Sequence, residues 1–356
     1  MGGTWDRADV DFDSDGTRCA AWLYRPVGVE GPVPLVVMAH GLGAVREWRL
    51  DAFAERFAEQ GWAVLVFDYR YLGASGGEPR QMLDIGAQLA DWRAALAFGR
   101  SLPGVDSARI AVWGTSFGGG HALSTAAQDH GVAAVVAQCP FTSGPASLLS
   151  RIRSGPVSAL WLGVAAVVDA VRARFGARPL LMPMAGVWWM PAFLVARGAM
   201  AGAARLVPEG TVLSRRASAA VGRLGPLRRA LPPDMRLSGA DGFDPAATPV
   251  GRDSIWGVLN GPGGSFAAAN ALAARLVLRL PFYRPGADLG RIIAPVLLSV
   301  CDRDSAAPAA TTRRYAEGHA HVQVRRYDLD HFDIYIGDAF EQAVADQTEF
   351  LAKSFA

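Results

Sequence analysis

Polar and apolar positions alternate in a repeating rhythm along most of this chain. Leu35-Val36-Val37-Met38-Ala39, Trp62 to Phe67, Arg109 to Trp113, Val132 to Ala137, Pro295 to Val300 and Val322 to Tyr327 are short, mostly apolar runs. Runs this short, without helical spacing, predict strands, and the fully apolar ones predict strands buried on both faces. Between them lie segments of helical periodicity: Leu50 to Gln60, ending at Gly61, then Leu83 to Phe98, Ser116 to Gln128, Pro308 to Glu317 and Ala339 to Phe355. In the second, Leu83, Ala87, Ala90, Ala94, Ala97 and Phe98 fall near one face. Residues 10–25 alternate and turn at Ser14-Asp15-Gly16, which predicts a hairpin. Strand following helix in this order predicts an α/β fold, with a mostly parallel sheet flanked by helices on both faces.

The rhythm stops from about Phe141 to Arg291, where no clear strand is legible. The pattern divides the chain into a core, residues 1–140 and 291–356, and a large helical cap, 141–290, inserted after the sixth strand. Pro179 to Ala196 holds eighteen residues without a charge, Met182, Met184, Trp188, Trp189 and Met190 among them. Pro179, Pro183, Pro191 and Gly186 interrupt it, and a spanning helix needs about twenty good helix formers, so no integral membrane span is expected. A lid over an apolar pocket is expected instead, with Trp188, Trp189 and Met190 touching the substrate.

Composition narrows the function classes. The 356 residues are 51% hydrophobic and 19% charged, which marks a globular chain. A net charge of +2 speaks against a nucleic-acid partner. Lys353 is the sole lysine, and the arginines form no run, which reads as genome bias and not as a phosphate site. Cys19, Cys139 and Cys301 are odd in number and lack C-x-x-C spacing, so buried free thiols are expected, with neither a disulfide framework nor a zinc site. No cofactor or metal is expected. The first residues lack a basic stretch followed by an apolar one, which makes the cytoplasm the expected compartment. Nothing in the sequence indicates an oligomeric state.

The chemistry centres on Gly114-Thr115-Ser116-Phe117-Gly118, between a predicted strand and a predicted helix. In that context G-x-S-x-G is a nucleophile elbow: small residues permit a sharp turn, and the helix N-terminus lies beneath a developing oxyanion. With 40 glycines, chance matches arise, and Gly73-Ala74-Ser75-Gly76-Gly77 is one. Asp68 to Leu72 separates it from its strand and Gly77-Glu78-Pro79 follows it, so Ser75 is not expected to react. A serine hydroxyl needs a base held by a carboxylate. Of six histidines, His331 follows the last strand and precedes the last helix, where a loop reaches over strand ends. Asp302 and Asp304 both follow the strand at 295–300, and either can orient the histidine. Two backbone N–H groups should hold the oxyanion: Phe117, directly after the serine, and Leu42, between Gly41 and Gly43 after the first core strand.

These residues, in this order, resemble the α/β-hydrolase superfamily. His40-Gly41-Leu42-Gly43 resembles its oxyanion loop, and Asp68-Tyr69-Arg70 with Gly73 to Gly77 resembles its D-x-R-x-x-G-x-S-x-G loop. Gly114 to Gly118 resembles its elbow and His331-Phe332-Asp333 its histidine loop. Asp304 with Pro308 four residues on resembles the acid loop, which favours Asp304 over Asp302. The match covers about residues 10–140 and 291–355. Within the superfamily the chain is similar to bacterial dienelactone-hydrolase and acetyl-esterase types and to hydrolases of polyketide pathways. The resemblance implies a serine hydrolase cleaving a carboxylic ester, thioester or lactone of an apolar small molecule. An acyltransferase using the same acyl-enzyme, C–C bond hydrolysis, lyase or perhydrolase chemistry, and a non-catalytic binder of a small ligand are the competing readings. Dehalogenase and epoxide hydrolase chemistry does not fit, since Ser and not Asp stands at the elbow.

Overall fold

The computed structural model describes residues 4–186, 191–196, 198–206 and 271–356. An eight-stranded sheet organises them, in the order β1 (Trp5–Ser14), β2 (Thr17–Pro26), β4 (Ala63–Phe67), β3 (Val33–Ala39), β5 (Val105–Thr115), β6 (Ala134–Gln138), β9 (Val296–Cys301), β10 (Val322–Tyr327). From β4 to β10 every neighbouring pair is parallel, and β2 alone is reversed, antiparallel to both its neighbours, β1 and β4. The α/β-hydrolase expectation holds. β3, β4, β6 and β9 are buried at every position, which is why their sequences are apolar apart from Gln138 and Ser299. The edges differ. β1 exposes Asp6, Arg7, Asp9, Asp11 and Asp13, and β10 exposes Arg325 and Arg326, charges that discourage pairing with another sheet.

Helices α1 (Leu50–Ala58), α2 (Ile85–Ser101) and α3 (Phe117–Ala126) follow the strands as expected. α2 starts at Ile85 and not Leu83, because the Asp84 carboxylate accepts from Ala87 N at 2.9 Å and caps the helix. β5 is longer than its apolar stretch, since it also pairs with β3 at Val105. The hairpin extends to residues 5–26 for the same reason: backbone pairing does not stop where apolar alternation fades.

Between β6 and β9 the described residues form α4 (Gly144–Ser154), α5 (Pro156–Ala173), β7 (Leu181–Met182), α6 (Ala199–Ala204), β8 (Leu272–Ala273) and three 3₁₀ turns, Ala274–Leu278, Leu280–Phe282 and Pro285–Arg291. The two ends of this stretch are tied together by Gly144 N to Tyr283 O and Gly286 N to Thr142 O, at 2.8 and 2.9 Å. The expectation of no strand here is corrected by the short antiparallel β7–β8 pair. The apolar segment 179–196 is extended where it is described, with Phe193 N bonded to Pro183 O and Leu194 N to Met184 O. Trp188, Trp189 and Met190 lie outside the described residues. The chain closes with α7 (Ala309–Ala316) and α8 (Gly337–Phe355).

Candidate active site

The turn from β5 into α3 holds Ser116 at φ 55° and ψ −118°. A non-glycine residue there costs about 1–3 kcal/mol and persists only when its surroundings fix it. They do. Ser116 N donates to Gln138 O at 2.8 Å, and its carbonyl accepts from Gly120 N and Phe141 N at 3.2 and 2.8 Å. The flanking glycines are required by contact. A Cβ on Gly114 would lie 2.1 Å from Gly118 O, and one on Gly118 would lie 2.2 Å from His40 O. Strand end, helix start and the loop after β3 are thus pressed together around the serine.

The loop after β10 brings His331 to this point. Its Nε2 lies 3.0 Å from Ser116 Oγ, and its Nδ1 lies 2.7 Å from Asp304 Oδ2. The other Asp304 oxygen accepts from Ala306 N and Ala307 N at 2.8 and 2.6 Å, which fixes the carboxylate. Burial alone would depress the His331 pKa, but the charge and hydrogen bond of Asp304, with Asp330 adding, hold it above the ordinary histidine value. Asp302 points elsewhere, paired with Arg313 at 2.7 Å and with Arg326 at 2.9 Å. The structure therefore brings Ser116, His331 and Asp304 together and leaves Asp302 apart.

Leu42 and Phe117 line one cavity with Ser116. Gly41 is pressed onto the serine: a Cβ there would sit 2.8 Å from Ser116 Cβ. The buried His40 Nδ1 lies 3.0 Å from Gly41 O, and burial pushes its pKa down to about 4, so the ring is a neutral brace. Asp68 holds the same loop from below, accepting from Arg46 N at 2.8 Å and Ala74 N at 3.0 Å. Ser75 is structural: its hydroxyl donates to Asp68 O at 2.6 Å and accepts from Ala20 N at 2.8 Å.

A protein named quorum-quenching protein AidA, from Acinetobacter baumannii, is 41% identical over 345 residues, which span 97% of this chain and 94% of AidA. The chain belongs to the same family of α/β-hydrolases. The serine aminopeptidase S33 family model matches residues 30–174, from just before β3 through α5. Shorter similarity, 39% over 137 residues, links the family core to polyketide transferase ATR5 of Stachybotrys chlorohalonatus, covering 38% of this chain and 45% of that one. The α/β-hydrolase GrgF from Penicillium superposes with a TM-score of 0.66 at 21% identity, covering 98% and 99% of the two chains, which bears on the fold alone.

In this α/β-hydrolase, Ser116 opens on two cavities. The larger is lined by Leu42, Phe117, Phe141, Leu162, Phe193 and Val277 among others. The smaller is lined by Trp48, Met184, Leu206, His331, Phe332 and Tyr335 among others, and shares Leu42, Ser116 and Leu194 with the first. Phe141, Leu162, Phe193 and Val277 were not singled out by sequence. Phe141 carried a signal, standing three residues beyond β6, and so did Phe193, inside the apolar segment 179–196 expected to cover a pocket. Cys19, Cys139 and Cys301 are buried free thiols, as expected. Donor atoms of Cys139, Asp304 and His331 lie within 4.8 Å of one another. Asp304 and His331 are each other's partners, and burial holds the Cys139 thiol well above its ordinary pKa, against the thiolate a metal needs. The cluster is therefore poorly suited to a metal.

Proposed function

We propose that this protein is a serine hydrolase that cleaves a carboxylic ester, thioester or lactone of an apolar small molecule through an acyl-enzyme on Ser116. The observation that carries the reading is the unbroken hydrogen-bonded line from Asp304 through His331 to Ser116 Oγ, ending where two cavities meet. His331 Nε2 removes the hydroxyl proton as Oγ attacks the carbonyl carbon, and Asp304 stabilises the imidazolium that forms. The N–H groups of Leu42 and Phe117, with the α3 N-terminus, take up the negative charge on the carbonyl oxygen. The proton on His331 then passes to the leaving oxygen or sulfur. Water, deprotonated by the same nitrogen, releases the acid and restores Ser116. The larger, apolar cavity takes the acyl group and the smaller one the leaving group.

Fluorophosphonate labelling and turnover of p-nitrophenyl esters of increasing chain length test this. Labelling and turnover should both vanish in Ser116→Ala, and activity should extend beyond acetate to medium-chain or aromatic acyl groups. Full turnover by Ser116→Ala overturns the acyl-enzyme, and acceptance of acetate alone overturns the cavity assignment. The name of AidA makes an acylated signalling molecule, such as an acyl lactone, the first natural substrate class to assay.

The polyketide transferase relatives favour a second reading, in which the acyl group passes from Ser116 to an alcohol or amine. An apolar cavity that limits water supports it. Competing an added alcohol against water and measuring the ratio of ester to acid separates the two.

A further inference from the structure

Helix α5 is turned inside out. Its buried residues are Ser158, Leu162, Ala166 and Asp169, whereas Val157, Leu160, Trp161, Val164, Val167, Val168 and Val171 are exposed. Leu160 is 66% and Trp161 58% exposed, and Phe175 just beyond the helix is 84% exposed. At 3.6 residues per turn the exposed helix residues form a continuous apolar stripe about 120° wide and roughly 21 Å long. Leu149 and Ile152 on α4 are exposed as well.

Among the described residues of the insertion, exposed charge around the stripe has one sign. Exposed Arg153 stands before its start, and exposed Arg172, Arg174 and Arg178 stand at its end. In residues 141–186 and 271–287 the sole carboxylate is Asp169. That carboxylate is buried and spent on Arg275, at 2.8 and 2.9 Å, and on Leu180 N at 2.7 Å. The protein as a whole carries only +2, so this face concentrates positive charge that the rest of the chain offsets.

We propose that the α5 face is a docking surface for an anionic lipid membrane, on which the protein lies with α5 in the interfacial plane. An apolar stripe flanked by arginines fits the boundary between acyl chains and negative headgroups. By length and composition α5 could also cross a membrane. The opposite face argues for lying on it: the Asp169–Arg275 pair and Leu162 in the cavity wall bind α5 to the protein, and a spanning helix would have to abandon both. A second copy of the chain is the poorer occupant, because joining two such faces sets arginines against arginines, and the one carboxylate in the described stretches 141–186 and 271–287 is already paired with Arg275. Leu162, in the middle of the buried face, lines the acyl cavity, so α5 stands between that cavity and the surface. An apolar substrate dissolved in the bilayer would meet the protein on this side.

Co-sedimentation of the full chain with two kinds of vesicle tests the surface: phosphatidylcholine alone, and phosphatidylcholine mixed with phosphatidylglycerol. The protein should bind the second and not the first, and added salt should weaken binding. The Trp161→Glu/Val164→Glu variant, which alters only exposed positions, should bind ~tenfold less or weaker still. Arg172→Glu and Arg174→Glu should each cost about fivefold or more. Thermal unfolding of all variants should match the wild type, and Val27→Glu, an apolar-to-acidic change at an exposed position just after β2, should leave vesicle binding intact. Absence of binding, equal binding to both vesicles, or binding undiminished in the variants overturns the proposal. So does a homodimer in light scattering that Trp161→Glu/Val164→Glu converts to monomer.

Discussion

Replacing Asp304 by Asn tests the site at its most specific joint. The aspartate uses both oxygens: one faces His331 Nδ1 at 2.7 Å, and the other accepts from Ala306 N and Ala307 N at 2.8 and 2.6 Å. Asparagine has one oxygen and one NH₂. With its oxygen toward the two amides, its NH₂ donates to Nδ1, which places the imidazole proton on Nε2, facing Ser116 Oγ. That tautomer cannot accept the serine proton. The reversed amide restores the correct tautomer but sets NH₂ against two N–H donors, losing two buried hydrogen bonds at ~2 kcal/mol each. A penalty of ~4 kcal/mol leaves the competent arrangement populated at about one part in 10³. Steady-state turnover of a p-nitrophenyl ester should therefore fall by ~10³–10⁴ in kcat with little change in KM. Asp302→Asn should leave kcat within about twofold, because it removes only partly exposed ion pairs worth ~1 kcal/mol or less. The reasoning fails if Asp304→Asn keeps more than about a tenth of wild-type kcat, or if Asp302→Asn loses as much.

Four further outcomes are expected. Neutral His331 is the active form and its pKa is raised, so kcat/KM should rise with pH and pass half-maximum above 6.5; an acid-limb midpoint below that contradicts the Asp304 coupling. Gly118→Ala would place Cβ 2.2 Å from His40 O and should destabilise by ~3 kcal/mol or more in urea unfolding, whereas Gly41→Ala, crowding Ser116 Cβ at 2.8 Å, should chiefly cost activity, by ~10²-fold. Buried His121 is held between Tyr283 and Gln88, and its pKa is pushed down to about 3, so it stabilises the fold above pH 6.5 and that contribution is lost as pH falls toward its folded value. His121→Gln should flatten the fall of the urea midpoint between pH 6.5 and 4, and an unchanged slope shows that His121 does not titrate as described. Leu162→Trp, filling the larger cavity, should reduce octanoate turnover ~tenfold relative to butyrate; equal loss on both means the acyl chain lies elsewhere.

The core and the three side chains of the candidate triad were legible because each rests on local rules. A strand buried on both faces must be mostly apolar, and β3, β4 and β6 could be read off directly. Ser116 needs small neighbours on either side, so its glycines announced it. Asp302 and Asp304 are two residues apart and chemically identical, and only packing separates them: one faces Arg313 and Arg326, the other His331. The lining of the cavities was illegible for a related reason. Phe193, Val277 and Leu162 come from three segments scattered through the stretch 141–290, and an apolar residue there looks the same whether it faces core, ligand or solvent.

α5 shows where that ambiguity has consequences. Its apolar spacing is that of a helix packed on a core, yet the large side chains face outward and Ser158, Ala166 and Asp169 face in. Spacing gives the direction of an apolar face, not what lies against it. The inward choice was set by one polar anchor, Asp169, whose oxygens take Arg275 N and Nε and Leu180 N. A buried, fully bonded carboxylate fixes helix rotation more firmly than any single valine, because turning it outward would strand Arg275 and the Leu180 amide together. Asp169→Ala should thus loosen α5 and lower thermal stability while leaving Ser116, His331 and Asp304 in place. The stripe of Val, Leu and Trp is then free to serve an interface, which is the role its flanking arginines fit.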